Sequence, residues 1–158
     1  DNPAQLGSDL VVDSVAAIAE YPAPMLIFDL GTANTVCVID EKKNYIGGMI
    51  YPGIGVSLDS LTANAAQLGG ISLEAPEHII GKNTTECMKS GIIYSSAAAI
   101  DGIIDRLEEN LDGDVTVVAT GGLAAKIVPH CRRKIILDDN LLLKGLAIIY
   151  RKNKKEYH

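Results

Sequence analysis

Residues 25–51 read MLIFDLGTANTVCVIDEKKNYIGGMIY, and this stretch decides the fold. Its three apolar runs predict three strands, at Met25–Phe28, Thr35–Ile39 and Tyr45–Tyr51. The residues between the runs, Asp29–Thr32 and Glu41–Asn44, are typical of tight turns, because Gly, Asp and Asn tolerate the backbone conformations that turns need. Strands that are joined by such short turns are antiparallel neighbours. The stretch therefore predicts a three-strand antiparallel meander.

The segments on either side predict helices and one further strand. Upstream, Leu10–Ile18 is amphipathic at helical spacing. Downstream, the pattern predicts helices at Ile54–Leu68, in a short stretch through Ile127 and at Leu141–Tyr150. A long helix is predicted from a cap at Asn83 or Thr84 to about Leu111, with or without a break near Gly91. A buried strand is predicted at Val115–Ala119, and the irregular segment Ile71–Ile80 could carry a short strand. A meander followed by αβα units is the half-domain of the ribonuclease H-like, actin-like ATPase fold. We therefore expect an α/β domain whose partly parallel sheet is covered by helices.

Composition and charge exclude several classes of protein. Hydrophobic residues make up 47% of the 158, which suits one domain with an aliphatic core. The formal net charge is −6 and no basic stripe occurs, so nucleic acid is not an expected partner. The basic cluster Arg151–Lys155 is interpreted as a frayed, solvated tail. No apolar run reaches the length of a membrane span and no signal peptide is seen, so no membrane partner is expected.

The cysteines and the chain start bear on the cellular context. Cys37, Cys87 and Cys131 are odd in number and far apart, which argues against disulfides and zinc and predicts a reducing compartment. The first residue is Asp1 rather than Met, which suggests a processed chain, a fragment or a trimmed one.

The first candidate motif is Asp29-Leu30-Gly31-Thr32-Ala33-Asn34-Thr35, which begins at the end of the first strand. A tight turn of this kind presents backbone N–H groups and a hydroxyl, which phosphates need, and Gly lets the backbone come close. The carboxylate of Asp29 can hold a cation beside those phosphates. A plain hairpin turn that is capped by Asp remains the alternative.

Three further motifs have both structural and functional interpretations. Thr120-Gly121-Gly122 follows a buried strand and precedes a helix, which suits either a nucleotide contact or a helix-entry turn. Gly7-Ser8-Asp9-Leu10 places a carboxylate in the first turn of a helix, as a general base for phosphoryl transfer or as a cap. Gly81-Lys82-Asn83-Thr84-Thr85 lacks the upstream Gly of a phosphate-binding P-loop, so we interpret it as a helix cap.

Six segments of the chain, taken in order, resemble one family. They read DNPAQLGSDL, IFDLGTANT, YIGGMIYPG, IIGKNTTECMKSG, VVATGGLA and LLLKGLAIIYRKN. Their succession is similar to the C-terminal half of type III pantothenate kinases and runs essentially from end to end. Each motif alone is weak, whereas six in the same order and spacing are specific.

The resemblance implies an ATP-dependent kinase that phosphorylates the hydroxyl of pantothenate, the first step of coenzyme A biosynthesis. It implies a duplicated ribonuclease H-like fold with the active site between the halves, ATP with Mg²⁺, and an activating monovalent cation, K⁺ or NH₄⁺. It also implies a cytoplasmic homodimer whose pantothenate pocket borrows residues across the dimer interface. Residues 1–158 then form a single C-terminal domain, and the family's N-terminal phosphate-loop domain is absent from the chain.

At the substrate end, the resemblance assigns one catalytic residue. Asp9 matches the base that takes the proton from the pantothenate hydroxyl, and the surrounding segment, Gly7, Ser8, Asp9 and Leu10, matches the substrate contacts. Thr84 matches another pantothenate contact, at the start of the long helix that lies at the family's dimer interface.

At the nucleotide end, the resemblance assigns a cation ligand and two backbone turns. Asp29 matches the ligand of the monovalent cation. Gly31 and Thr32 match the ATP-phosphate contacts. Gly121 and Gly122 match the turn on the adenosine side.

Two departures from the family pattern leave two hypotheses open. The family reads Gly-Ala-Asp-Arg where this chain has Leu10 in the last place, and losing that charged donor costs roughly 1.5–3 kcal/mol. The N-terminal Asp-x-Gly-Asn-Thr loop of the family has no counterpart here. The chain is either a kinase part whose catalysis needs the N-terminal half or a degenerate, non-catalytic paralogue that binds a ligand or regulates. An unrelated actin-like ATPase would leave the substrate segment unexplained.

Two expectations about arrangement follow. Asp9, Asp29 and Thr32 should lie around one cleft, although Asp9 is distant in sequence from the other two. The long helix after Thr84 carries more apolar residues than one core face needs, which predicts that it forms the homodimer interface; these residues are Met88, Ile92, Ile93, Ala97, Ile100, Ile103 and Ile104.

Overall fold

A five-strand sheet separates two helical layers in the computed structural model, which describes residues 7–64 and 71–156. In chain order, the elements are α1 Ser8–Glu20, β1 Met25–Leu30, β2 Ala33–Ile39, β3 Tyr45–Pro52, α2 Ile54–Asn64, α3 Thr84–Glu108, β4 Thr116–Thr120, α4 Ala124–Ile127, β5 Ile136–Leu137 and α5 Leu141–Glu156. A short 3-10 turn, Val128–His130, follows α4. The predicted α/β class, with a meander before the αβα units, is confirmed.

The strand order is β3-β2-β1-β4-β5, with β1 at the centre. The meander strands β1, β2 and β3 pair antiparallel, whereas β4 is parallel to β1 and β5 is parallel to β4. Because β1 and β4 run in the same direction, their carboxyl ends meet at one edge of the sheet. Asp29 of β1 is the register partner of Thr120 of β4.

The two faces of the sheet bury different helices because side chains alternate along a strand. Met25 and Ile27 of β1 belong to a cluster with Ala16 of α1 and Leu141 of α5. The intervening side chains, Leu26 and Phe28 among them, pack on the other face against α2, α3 and α4. Asp29 has the parity of Met25 and Ile27, so it faces the layer of α1 and α5.

Helices α1 and α5 cross at very close range. A Cβ atom at Gly145 of α5 would lie 2.1 Å from the carbonyl oxygen of Val12 in α1, a distance that only glycine permits. Lys144, beside this crossing, forms ion pairs with Glu20 at the end of α1 and with Asp138 before α5, at 2.6 and 2.8 Å. These contacts hold α1, and with it the Asp9 segment, over the sheet.

The long helix α3 begins as predicted but is used differently from the prediction. Asn83 caps it by accepting a hydrogen bond from the Glu86 amide, and the helix continues through Gly91 without a break to Glu108. The apolar residues that were expected at a dimer interface belong to this chain's own core. Six of them are buried there, and Ile103 packs against them; the six are Met88, Ile92, Ile93, Ala97, Ile100 and Ile104. The apolar surplus is therefore no argument for a dimer.

Several predicted boundaries differ from the observed ones. β1 runs two residues further than predicted, so Asp29 lies in a strand rather than in a turn. Residues Ile71–Ile80 contain no strand. Strand β5 was not predicted. Helix α2 is observed to Asn64, and residues 65–68 of the prediction lie outside the described residues. The final helix reaches Glu156, so the basic cluster is helical and not frayed through that residue.

No helix within residues 7–64 and 71–156 is both long enough and apolar enough to span a membrane.

Candidate active site

The candidate site begins where the carboxyl ends of β1 and β4 lie side by side. The parallel register places Asp29 beside Thr120, so the turn after β1 and the turn Gly121-Gly122 become neighbours. Gly121 has φ +97°, and a Cβ atom there would lie 2.4 Å from an oxygen of the Asp29 carboxylate. Only glycine therefore allows these two turns to pack together.

Helix α1 adds two carboxylates to the same place. Asp9 and Asp13 are four residues apart, so they lie one turn from each other on the same side of the helix. Asp9 is exposed and accepts a hydrogen bond from the Ser8 hydroxyl at 3.1 Å. Asp13 is only 2% exposed. Since Asp29 faces the α1 layer, three acidic side chains converge from two elements.

These carboxylates line a cavity of about 370 Å³, which is called the nucleotide-side cavity after the predicted role of Gly121 and Gly122. Its wall also includes Thr120, Gly121 and Gly122 from the β4 turn. The second strand end and the helix thus enclose one space that neither element could form alone.

A second cavity of about 640 Å³ also contacts Asp9 and Asp29, and it is called the substrate-side cavity after the predicted role of Gly7–Leu10. Its lining includes the predicted residues Gly7, Asp9, Leu10, Asp29, Gly31 and Thr32, together with an apolar wall from β2 and β3. Asp9, Asp29 and Thr32 therefore share one cleft, as expected. The chemical roles of these residues remain predictions.

The electrostatics of both cavities favour a cation. Burial, followed in effect by the charges of Asp29, Asp9 and Asp138, raises the pKa of Asp13 to about 6. Burial and the charge of Asp9 also raise the pKa of Asp29. Among the described residues, no Lys, Arg or His lines either cavity. Carboxylates in such surroundings are stabilised by a positive charge or by a proton.

A monovalent or hard divalent ion fits this donor chemistry better than zinc does. The donors are carboxylate and hydroxyl oxygens, which suit hard cations. Within residues 7–64 and 71–156, no group of three or more His, Cys, Asp or Glu side chains is arranged to hold a metal. Other ligands, such as water or phosphate oxygens, would have to complete the coordination shell.

Sequence reasoning missed one residue of the site and gave another no role of its own. Asp13 could have been found because it follows Asp9 by four residues in an amphipathic helix. Thr35 is the last residue of the first candidate motif. It is opposite Asp29 in the β1–β2 register and lines the substrate-side cavity, and its buried hydroxyl has no hydrogen-bond partner.

Two predicted site residues line neither cavity: Ser8, which adjoins the cleft through its hydrogen bond to Asp9, and Thr84. Thr84 is the exposed first residue of α3. The segment before it is a helix cap, as expected, because the Glu86 carboxylate accepts a hydrogen bond from the Lys82 amide at 3.0 Å while Asn83 accepts one from the Glu86 amide at 3.0 Å.

Comparison with known proteins adds three kinds of match. A family model described as type III pantothenate kinase matches residues 1–106. Type III pantothenate kinases of an Exiguobacterium species and of Halalkalibacterium halodurans are 46% and 42% identical over 98% and 97% of this chain. The matches cover 61% and 60% of those proteins, so the chain spans about 60% of the length of the curated relatives it matches.

Solved structures share the fold at low sequence identity. A putative Baf family transcriptional activator from Campylobacter jejuni has a TM-score of 0.61 at 23% identity, over 98% of this chain and 69% of that one. The activator of 2-hydroxyisocaproyl-CoA dehydratase from Clostridium difficile, solved with bound ADPNP, has a TM-score of 0.57 at 13% identity, over 95% and 69%. These likenesses support the actin-like ATPase fold and nothing finer.

Proposed function

This chain belongs to the type III pantothenate kinase family, and from that premise we propose that it is the C-terminal domain of an enzyme that transfers a phosphoryl group from ATP to the hydroxyl of pantothenate. That reaction is the first step of coenzyme A biosynthesis. The observation that carries the proposal is the convergence of Asp9, Asp29 and Thr32 on one cleft from segments that are distant in sequence.

Asp9 is the proposed general base. Phosphoryl transfer to an alcohol requires a carboxylate near the attacking hydroxyl. Asp9 is exposed at the boundary of both cavities, and the Ser8 hydroxyl donates to one of its oxygens, which supports a fixed orientation of the carboxylate. The neighbouring Gly7 and Leu10 line the substrate-side cavity, where pantothenate would bind.

Asp29 is the proposed ligand of the monovalent cation, K⁺ or NH₄⁺. The raised pKa of its half-buried carboxyl supports this role, because a bound cation would offset the charge that burial and Asp9 disfavour. Gly31 and Thr32 would contact the ATP phosphates, and Gly121 and Gly122 would lie on the adenosine side. A bound cation supplies positive charge against the phosphate oxygens, and the chain's own residues hold and orient the reactants.

The remaining catalytic groups are proposed to come from outside these residues. Because phosphoryl transfer depends on positioning and on charge stabilisation from both sides of the phosphates, an N-terminal domain would complete the cleft and anchor Mg²⁺. Thr84, which is exposed at the start of α3, is proposed to enter the pantothenate pocket of a second copy, so the proposed enzyme is a homodimer. The proposal places the enzyme in the cytoplasm, and three unpaired cysteines agree with a reducing compartment.

One observation favours a second candidate, a degenerate paralogue that binds ligand without catalysis. Leu10 is half-buried against the substrate-side cavity, at the position where the family has Arg. No Lys, Arg or His among the described residues lines that cavity. An anionic substrate therefore meets carboxylates without a compensating charge. Calorimetry on Leu10→Arg should show an affinity for pantothenate at least about tenfold higher than that of the original chain.

The test of catalysis supplies the region that this chain does not match, taken from the Exiguobacterium relative and fused before residue 1. Release of ADP is measured with ATP, Mg²⁺ and K⁺, with and without pantothenate. We expect pantothenate-dependent release from the fusion only, and Asp9→Asn should lower kcat by about 10²–10⁴-fold. Asp59→Asn on the exposed side of α2 is the matched control and should change little.

Two results would contradict this proposal in different ways. Pantothenate binding by the fusion without ADP release would favour the non-catalytic paralogue. Strong pantothenate-dependent release from the 158-residue chain alone would show that no N-terminal domain is required.

A further inference from the structure

Asp13 is a buried carboxylate with an unsatisfied oxygen. Its side chain is 2% exposed, and its Oδ1 atom has no hydrogen-bond partner. Asp138, the other buried acid of the described residues, shows what is normal: it accepts hydrogen bonds from the Tyr21 hydroxyl at 2.7 Å, the Lys144 ammonium at 2.8 Å and the Asn140 amide at 3.1 Å. Buried charges are almost always paired, so an unpaired one requires an explanation.

The position of Asp13 indicates what could satisfy it. It lines the nucleotide-side cavity together with Asp29, and it lies one helical turn below Asp9. The nearest charged groups that act on it, Asp29, Asp9 and Asp138, are all acidic. No cationic side chain of the described residues lines that cavity. The Asp13 carboxylate is therefore left to be balanced by a proton or by a cation bound in the cavity.

We propose that Asp13 is a second carboxylate ligand of the monovalent cation held at Asp29. This inference rests on the proposed function for the presence of that cation, and it assigns to the cation a residue that neither motif nor resemblance indicated. Asp29 enters from the strand and Asp13 from the helix, so the ion would bridge the two elements. It would also provide the positive charge that the buried Asp13 carboxylate lacks.

The donor set supports an ion that demands few protein ligands. In residues 7–64 and 71–156, no third acidic, His or Cys side chain completes a metal-binding group with these two. The rest of the coordination shell would come from water, backbone carbonyls or the phosphates of a nucleotide. Such a partial site suits an ion that is bound together with the nucleotide rather than a permanent structural metal.

Thermal unfolding of the 158-residue chain tests the site without any substrate. The midpoint Tm is measured at pH 8 in increasing KCl, with tetramethylammonium chloride keeping the ionic strength constant. We expect Tm of the original chain to rise by about 3–5 °C at a tenfold excess over Kd and to keep rising with the logarithm of the K⁺ concentration. Asp13→Asn and Asp29→Asn should each lose this K⁺-dependent rise.

The matched control is Asp139→Asn, which removes an exposed carboxylate that lines the same cavity and should keep the K⁺-dependent rise. Thallium-205 NMR of Tl⁺, a K⁺ substitute, gives a second readout, in which the protein-dependent line broadening should be lost in Asp13→Asn. Circular dichroism confirms that the variants are folded.

Retention of the full K⁺-dependent rise by Asp13→Asn would overturn the proposal, as would the absence of any rise in the original chain. A rise with Mg²⁺ and not with K⁺ would overturn the assignment of a monovalent ion. This experiment uses neither pantothenate nor ATP, so its outcome is independent of the kinase test. If the fusion released no ADP while the 158-residue chain kept its K⁺-dependent rise in Tm, the proposed function would be rejected and the ion site would stand.

Discussion

Asp13 and Asp138 are both buried acids, yet their side chains have opposite surroundings. The Tyr21 and Lys144 bonds, which outweigh burial, lower the pKa of Asp138, while burial and neighbouring carboxylates raise the pKa of Asp13 to about 6. An unfolded Asp titrates near pH 3.8. Between pH 4 and 6 the folded chain holds a proton on Asp13 that the unfolded chain has released, so Asp13 costs stability as the pH rises and the full cost applies above pH 6.

In the absence of K⁺, Asp13→Asn should therefore raise the free energy of unfolding at pH 8 by about 1–3 kcal/mol, with the gain vanishing near pH 4. Urea unfolding of both proteins across this range measures the difference. Asp138→Asn is the control with the opposite sign, because a depressed pKa stabilises at neutral pH and that stabilisation is lost as the pH falls. A gain for Asp13→Asn that does not change with pH would contradict the titration of Asp13.

At the scale of elements, the crossing of α1 and α5 sets the height of Asp9 and Asp13 above the sheet. Gly145→Ala would place its Cβ atom 2.1 Å from the Val12 carbonyl oxygen, so the helices must separate. Ala favours a helix by about 1 kcal/mol over Gly, but overpacking costs about 1–3 kcal/mol, and backbone contact puts this site at the upper end. We expect a net loss of about 1–2 kcal/mol in urea unfolding.

The control for this element is Gly91→Ala in α3. A Cβ atom at Gly91 has no heavy atom within 4 Å, and the residue is exposed. The same substitution should therefore stabilise the chain by up to about 1 kcal/mol. Equal effects at the two positions would show that helix propensity, and not the α1–α5 crossing, decides the outcome.

At the scale of the whole molecule, the proposed homodimer needs a surface other than the buried face of α3. Ile79 and Ile80 are 61% and 77% exposed just before Thr84, the residue proposed to reach a second copy. A dimer that uses Thr84 would cover them. Sedimentation equilibrium should then show a dimer, and Ile80→Glu should weaken it at least about tenfold by placing a charge in the interface.

The control for the dimer is Ile46→Glu on β3, an isoleucine on a different element that is also more than half exposed. It should leave the dimer intact. A clean monomer of the original chain at high concentration would reject the homodimer, and equal effects of the two variants would reject the assignment of the surface to Ile79 and Ile80.

The sequence alone was sufficient for the order of elements apart from β5 and for most of the candidate site. The alternating apolar residues of 25–51 and the short turns between them are local signals, which is why the meander and the cap at Asn83 could be predicted. The motifs that contain Asp9, Asp29 and Gly121 were visible for the same reason. Each depends on a few consecutive residues and a single turn or helix start.

Only the tertiary structure decided which of these residues meet. The parallel register of β1 and β4 places Asp29 beside Thr120, and the extension of β1 by two residues turns Asp29 toward α1. The burial of Asp13 and the use of the α3 apolar residues in the chain's own core depend on the same packing. A hydrophobic pattern shows which side of an element is buried, but what buries it depends on contacts between residues far apart in sequence.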